Sequence, residues 1–524
     1  MFKHKINYRI TKKVGEILKK TLFIKNAIIL TVSSLLLRFA GIIFKVWLAA
    51  EIGSEGIGLY QLIFSVYVLI TAFATSGIST AVTKLVAEEL ALGSKKGTLK
   101  ILKRAITLSL IIAFVSAAAV FFGSNLIAQH LLGDMRAVSA LKILPFSLPF
   151  MGTTACLRGY FIARRRASPN AVSQIFEQII RIGIILILVK RFASGGLEIS
   201  CAAIVFGDVT AEIFSFLILY TVHLFDRRKL NILSGRALPD YPVCKKILGI
   251  ATPITSGRYI NSLLRTGENI LVPKNLAKYP FSGESALSQF GMIKGMALPI
   301  LFFPSAILNS VSLLLIPEMS EASAKNQYLL VKRATHNILK LTAVISFIFS
   351  AVFFVAGNKI GLIIYKNSQV GFLLCALSPI VPFMYLDSIS DGILKGLDQQ
   401  LFTFRTAISD STIRIILILI LLPLTGLKGF IGIMYFSNLL TCFLNVGRLI
   451  KVTGANFKII DEILLPLLSA FLVTFLSNRL VALIFGGNNL LYVISLCFIS
   501  VILYTLLLFW LGIIKKDDVR NLLR

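Results

Sequence analysis

Arg38, Lys45, Lys142, Arg158, Arg181, Arg258, Arg265, Lys294, Lys340 and Arg414 all fall inside stretches that otherwise read as membrane-spanning helices. A cation at mid-bilayer costs roughly 2.5–3.5 kcal/mol on insertion scales, so it faces an interior, a water-filled cavity or a partner charge. Lys142 and Lys340 lie near the ends of their stretches and can snorkel to the interface; Arg38, Arg258 and Arg265 have less room for that. In the first stretch Ser34, Arg38, Gly41 and Lys45 recur at i, i+4, i+7 and i+11, one narrow stripe of a helix. In the seventh, Arg258, Asn261, Arg265 and Glu268 recur at i, i+3, i+7 and i+10. Cations placed this way suit an anion held within the membrane, and Arg38, Lys45, Arg258 and Arg265 are the candidate ligands. The competing use is pairing with interior carboxylates, for which Glu177, Asp208, Glu212, Glu268, Asp387, Asp391 and Asp410 are available.

The carboxylates have their own spacing. Glu177 precedes Arg181 by four residues, and Asp410 precedes Arg414 by four, so each couple predicts an intrahelical ion pair. Asp208 with Glu212, and Asp387 with Asp391, are i, i+4 acid pairs within apolar stretches. Neighbouring carboxylates repel when both are ionised, which suits proton or sodium coupling; pairing with an Arg of a neighbouring helix is the equal alternative.

These residues need helices to hold them, and composition supplies the class. Apolar residues make up 56% of the chain and mean hydropathy is +0.84, with apolar runs of membrane length recurring to the end. The pattern predicts an all-α polytopic membrane protein of about fourteen transmembrane helices. A basic cytoplasmic segment covers 1–26, helices 1–6 cover 27–222, a cytoplasmic linker covers 223–246 and helices 7–12 cover 247–450. Helices 13 and 14 cover 459–514, and 515–524 form a cytoplasmic tail. The first run is too long for a signal peptide and lacks a cleavage site, so it reads as a retained helix. Lys95-Lys96, Arg164-Arg165-Arg166, Arg227-Arg228-Lys229 and Lys515-Lys516 fall on the side of the basic N-terminus, which predicts that both termini are cytoplasmic.

The formal charge of +30 is thus mainly a topology signal with attraction to anionic membrane lipids, and nucleic acid is not an expected partner. The six cysteines have no paired spacing and read as small buried hydrophobes. No zinc motif, phosphate-binding loop or nucleophile elbow occurs, so no metal, cofactor, catalytic residue or ATP hydrolysis is expected; membrane potential, H+ or Na+ remains for energy coupling.

The chain also repeats itself. Leu148-Pro149-Phe150-Met151 returns as Val381-Pro382-Phe383-Met384, and the same offset of 233 aligns Gly159 with Gly392, Glu177 with Asp410 and Ile180-Arg181-Ile182 with Ile413-Arg414-Ile415. Earlier in each half, Ser76, Ile78, Val82 and Leu85 match Ser305, Ile307, Val311 and Leu314 at an offset of 229. Six helices per repeat is an even number, which predicts two parallel, pseudo-symmetric lobes related about the membrane normal and a binding cavity near the midplane. Pro145, Pro149, Pro379 and Pro382 kink equivalent helices, while Gly295, Pro299 and Pro304 interrupt the eighth; these are candidate hinges or static bends.

Arg158-Gly159-Tyr160-Phe161, Pro169, Ser173-Gln174, Glu177-Gln178 and Arg181 form one signature. A second runs from Gly291 to Pro299 and on through Phe303-Pro304-Ser305 to Leu315-Ile316-Pro317-Glu318-Met319-Ser320-Glu321-Ala322. Together they resemble the stage V sporulation protein B and polysaccharide-exporter branch of the MOP flippase superfamily. The resemblance implies a two-lobed bundle that moves an undecaprenyl-pyrophosphate-linked oligosaccharide, such as a peptidoglycan precursor, across the bacterial cytoplasmic membrane by alternating access. It also implies a role in spore cortex assembly, with cell-wall or polysaccharide synthesis enzymes as further partners. Related lipid II flippases place a basic residue mid-way along helix 1 and another two turns on; Arg38 matches the first, and Lys45 matches the second without the bidentate fork of arginine. The resemblance further implies that helices 13 and 14 line a groove for the lipid tail.

Two other readings compete. A cation-coupled multidrug exporter of the same superfamily takes cationic substrates and favours an acidic cavity. A membrane-embedded glycosyl polymerase or ligase calls for a large external loop with catalytic residues, which the spacing of the apolar runs does not provide.

Overall fold

A computed structural model describes residues 2–192, 195–229, 242–280, 283–305, 308, 319–456, 458, 460–485 and 490–513. Side chains before 36, Ser33 apart, and those of 74, 76, 95, 228, 229 and 485 are not described. Several expectations therefore lie outside the described residues: the side chains of the basic N-terminus, Ser34 and Ser76, most of the 223–246 linker, the repeat residues Ile307, Val311 and Leu314, the motif residues Leu315 to Glu318, and the 515–524 tail.

The described residues form helices and short connections, with no strand among them. In chain order the helices are α1 (Phe2–Ala91), α2 (Lys95–Leu126), α3 (Val138–Ile143), α4 (Leu148–Ala163), α5 (Ser168–Phe192), α6 (Gly196–Lys229) and α7 (Val243–Leu276). Then come α8 (Ala286–Gly291), α9 (Leu298–Phe302), α10 (Tyr328–Tyr365), α11 (Ser368–Leu377), α12 (Val381–Gly396), α13 (Gln400–Thr453), α14 (Leu465–Phe485) and α15 (Leu490–Trp510). Among the described residues, ten helical segments are long and apolar enough to cross a membrane. The expected number was fourteen, and the difference has physical causes. α1 and α13 each join two apolar runs across a break, at Gly53 (φ 69°) and Gly426 (φ 58°), where a side chain would be strained. α7 carries too many polar residues to qualify, and the apolar run Ala286–Phe302 is short.

The chain divides into two compact units, one of residues 1–41 and 62–266, the other of 42–61 and 267–524. In the first, Ile78, Val82 and Leu85 of α1 pack with Ile101 and Leu102 of α2, Leu157 and Phe161 of α4, and Ile247 and Ala251 of α7. Gly159 permits the close approach of α4 to α1: a Cβ there would lie 2.6 Å from the Ser79 carbonyl oxygen. In the second unit, Ala343, Phe347 and Ala351 of α10 pack with Ala470 and Val473 of α14 and with Tyr504 and Leu508 of α15, so the last two helices share this unit's core.

The prolines act alike in both halves. Pro145 sits in a 3₁₀ turn, Leu144–Ser147, that leads into α4, and Pro379 sits in another, Ser378–Ile380, that leads into α12. Proline tolerates the first turn of a helix because its missing N–H has no partner there anyway. The eighth stretch is interrupted differently, by a π-helical segment Met292–Ala297 that contains Lys294.

Candidate functional site

The first unit holds a network of charge spread over α4, α5 and α6. Arg158 of α4 donates to Glu177 of α5 at 2.8 Å and to the Ser215 hydroxyl of α6 at 3.2 Å. Arg181, one turn beyond Glu177, donates to its other oxygen at 2.8 Å and to Gln178 at 2.9 Å. The Arg181 Nε lies 2.9 Å from Asp208, and its Nη2 lies 3.9 Å from Glu212. Asp208 and Glu212, one helical turn apart, thus point to the same guanidinium. Two arginines and three carboxylates neutralise most of one another here, on helices whose remaining surfaces are apolar.

The second unit has a counterpart. Arg414 donates to Asp410 at 2.5 Å and to Ser437 at 2.7 Å, and Ser437 donates to the other Asp410 oxygen at 2.6 Å. Glu268 of α7 receives Lys294 at 3.0 Å and Arg414 at 3.3 Å. Arg265, three residues away along α7, is not among its partners. Asp387 accepts from the Asn445 amide at 2.7 Å, while Asp391 pairs with Lys395 at 2.5 Å. The two aspartates are therefore engaged separately.

Arg38, Arg258 and Arg265 differ from all of these. They are exposed, and Lys45 and Asn261 are half-buried; none of the five has a hydrogen bond or ion pair to another described residue. Arg38, Arg258, Asn261 and Arg265 belong to the first unit and Lys45 to the second. On α1, Gly41 turns its Cα toward Gln178 of α5, so the stripe that carries Arg38 runs beside the polar face of α5. On α7, Tyr259 meets Phe73, and Thr266 donates to the Ser65 carbonyl at 3.0 Å. Arg258 and Arg265 each precede one of these contact residues by one position, so they sit about 100° around the helix from the α1 contact. Lys142 is also exposed and unpaired among the described residues, and Lys340 is engaged by a neighbour.

The signature residues have separate physical tasks. Arg158 enters the ion network, Gly159 admits α1, and the Tyr160 hydroxyl donates to Asp226 at 3.1 Å. Asp226 also pairs with Arg164 and with Arg166, the latter at 2.6 Å. In the second signature Lys294 reaches Glu268, and Gly291 lies against the backbone of Ser54 and Gly58. Sequence reasoning overlooked Ser215, Ser437 and Asn445 as partners of the network, and took Arg164 and Arg166 as topology signals alone. The signal for the first three was a polar residue within an apolar run, alone at Ser215 and Asn445 and beside Asn438 at Ser437.

A family model described as "Polysaccharide biosynthesis protein" matches residues 23–278. The stage V sporulation protein B of Bacillus subtilis (strain 168) is 25% identical over 510 residues, 96% of this chain and 98% of that protein. The lipid II flippase MurJ of the same organism is 21% identical, over 86% of this chain and 87% of that one. A solved structure of lipid II flippase MurJ, in an inward closed conformation, matches with a TM-score of 0.69 at 15% identity, covering 95% of this chain and 100% of its own. An inward-facing multidrug resistance transporter of the MATE family matches at 0.61 and 14% identity, covering 80% and 96%.

Helix composition and the structural matches together define a multi-pass, all-α membrane protein with the fold shared by the solved MurJ and MATE-family structures. Within that fold the chain is similar along nearly its whole length to the stage V sporulation protein B, and over residues 23–278 to the polysaccharide biosynthesis family.

Proposed function

We propose that this protein is a flippase that carries an undecaprenyl-pyrophosphate-linked oligosaccharide from the inner to the outer leaflet, with Arg38, Lys45, Arg258 and Arg265 contacting the pyrophosphate. One observation carries the reading. Arg158, Arg181, Lys294 and Arg414 are neutralised by carboxylates, whereas Arg38, Lys45, Arg258 and Arg265 have no carboxylate partner among the described residues. An unpaired cation in an apolar stretch is costly unless a ligand or water meets it. A pyrophosphate supplies the missing anion, and arginine replaces its lost hydration with paired N–H donors.

The kinship to a sporulation protein and to a lipid II flippase favours a peptidoglycan-type glycan and use in the spore cortex. Both termini are cytoplasmic in this reading, on the strength of the basic segments at the N-terminus and between helices. Helices α14 and α15 flank the lipid tail. The carboxylates Glu177, Asp208, Glu212, Asp387 and Asp410 serve structure or coupling to the membrane potential, H+ or Na+. No cofactor is required. Depletion of the protein tests the core of this: a pyrophosphate-linked sugar should accumulate in the inner leaflet, and an unchanged lipid-linked sugar pool would refute it.

A further inference from the structure

We infer that the second unit carries a separate site for the phosphodiester headgroup of an anionic phospholipid, at the membrane boundary where α10 begins and α13 ends. A pocket of about 300 Å³ opens there, lined by Leu329, Lys332, Arg333, His336 and Asn337 of α10 and by Asn456 of the segment after α13. That volume is in the range of small-ligand pockets. Its location follows from three membrane-length segments, because Tyr328–Tyr365 starts, Gln400–Thr453 ends and Ile460–Ile484 starts at this place.

The chemistry of the lining is that of an anion site. Lys332 and Arg333 have no ion pair, and Asn337 has no hydrogen bond, to any described residue. Glu462, the carboxylate paired with His336, is already committed: it lies 3.3 Å from the His336 Nε2 and accepts from the Lys458 N–H at 3.2 Å. The other ring nitrogen of His336 is 2.9 Å from the Asn456 carbonyl oxygen, so the imidazole ties α10 to the connection leading into α14. This leaves one ammonium, one guanidinium and one amide directed at the same small volume without an internal acceptor.

The rim separates a lipid from a soluble anion. Tyr328 and Leu329 are 71% and 74% exposed at one edge, and Ile460 is 65% exposed at the other. Such side chains belong in the acyl region just below a headgroup, and basic pockets between membrane helices are suited to anionic lipid heads. A bound phosphodiester would bridge α10 to the α13–α14 connection and so fasten α14 and α15, whose core is built on α10. This site is independent of the transported substrate and of the cations on α1 and α7.

The test uses the full-length protein in detergent, titrated with phosphatidylglycerol, with phosphatidylcholine and with inorganic phosphate, and read by native mass spectrometry and thermal unfolding. Phosphatidylglycerol should bind and raise the unfolding temperature, and the other two should not. A lipid-facing Lys or Arg contributes about fivefold in affinity for anionic lipid, so the Lys332→Gln/Arg333→Gln double variant should bind roughly twenty- to thirtyfold more weakly. Lys428→Gln, an exposed cation remote from the pocket lining, should behave as the parent protein. Equal binding of both lipids by the parent protein overturns the site without reference to any variant. So does undiminished phosphatidylglycerol binding by the double variant. Phosphate alone producing the shift would show a soluble-anion site and refute the lipid. Because transport is not measured, these outcomes are distinct from failure of the flippase reading.

Discussion

Arg38 and Arg181 carry the same charge in the same unit, and truncating them should have opposite signatures. Arg181→Ala would leave Glu177, Asp208 and Glu212 facing one another without their shared guanidinium. Removing one partner of a buried ion pair destabilises by about 3–5 kcal/mol. Its abundance in the membrane and its unfolding temperature in detergent should therefore fall together with activity. Arg38→Ala removes no bond to a described residue, so it should insert at normal abundance yet fail to complement a depleted strain. Arg38→Lys should complement partially, since charge survives while the bidentate fork does not. Immunoblotting of membranes beside growth or sporulation assays separates the two outcomes, and full complementation by Arg38→Ala would remove this residue from the site. The Glu177–Arg181 and Asp410–Arg414 pairs were legible in the sequence because i, i+4 neighbours meet on any helix. The partners of Arg158 and Lys294 were not, since a linear chain does not say which helices adjoin. For the same reason Glu268 looked like a companion for Arg265, while the fold delivers it to Lys294 and Arg414.

At the level of the helices, the two signatures are best understood as packing and pairing devices, and this makes Gly159 informative. Alanine is the better helix former by roughly 0.8–1 kcal/mol, yet a Cβ at Gly159 would meet the Ser79 carbonyl at 2.6 Å and force α1 from α4. Overpacking of this kind costs about 1–3 kcal/mol, so Gly159→Ala should lower the unfolding temperature. Gly183→Ala in α5 has open space around it and should leave that temperature unchanged or slightly higher. Equal behaviour of the two variants would show that the α1–α4 approach is not tight. Apolar run lengths alone found most of the helices, and prolines marked the 3₁₀ turns before α4 and α12. What run lengths could not supply was continuity: Gly53 and Gly426 break helices that hydrogen-bonding otherwise carries through. Nor could they foresee that the last two helices build their core on α10.

For the whole molecule, the proposed flippase and a drug exporter differ in the sign of the charge they would carry. The fold is shared by the solved lipid II flippase and the multidrug resistance MATE-family structures, so it does not separate the two. The distribution of unpaired charge does discriminate. A carrier for cationic drugs needs exposed carboxylates, whereas here Glu177, Asp208, Glu212, Glu268 and Asp410 are each bound to a cation, Asp387 is bonded to Asn445, and Arg38, Arg258 and Arg265 are exposed without a partner among the described residues. Proteoliposomes should accordingly translocate a fluorescent undecaprenyl-pyrophosphate sugar and should not accumulate a cationic dye. Hydrogen bonds to charged groups are worth about 1.5–3 kcal/mol each, so Arg258→Ala with Arg265→Ala should slow lipid translocation by about tenfold or more. The double variant should keep its unfolding temperature, because neither arginine is bonded to a described residue. Fluorescence quenching from outside the vesicle reads the translocation rate directly. Dye uptake with no lipid translocation would instead identify an exporter of cations, and undiminished translocation by the double variant would place the pyrophosphate away from α7.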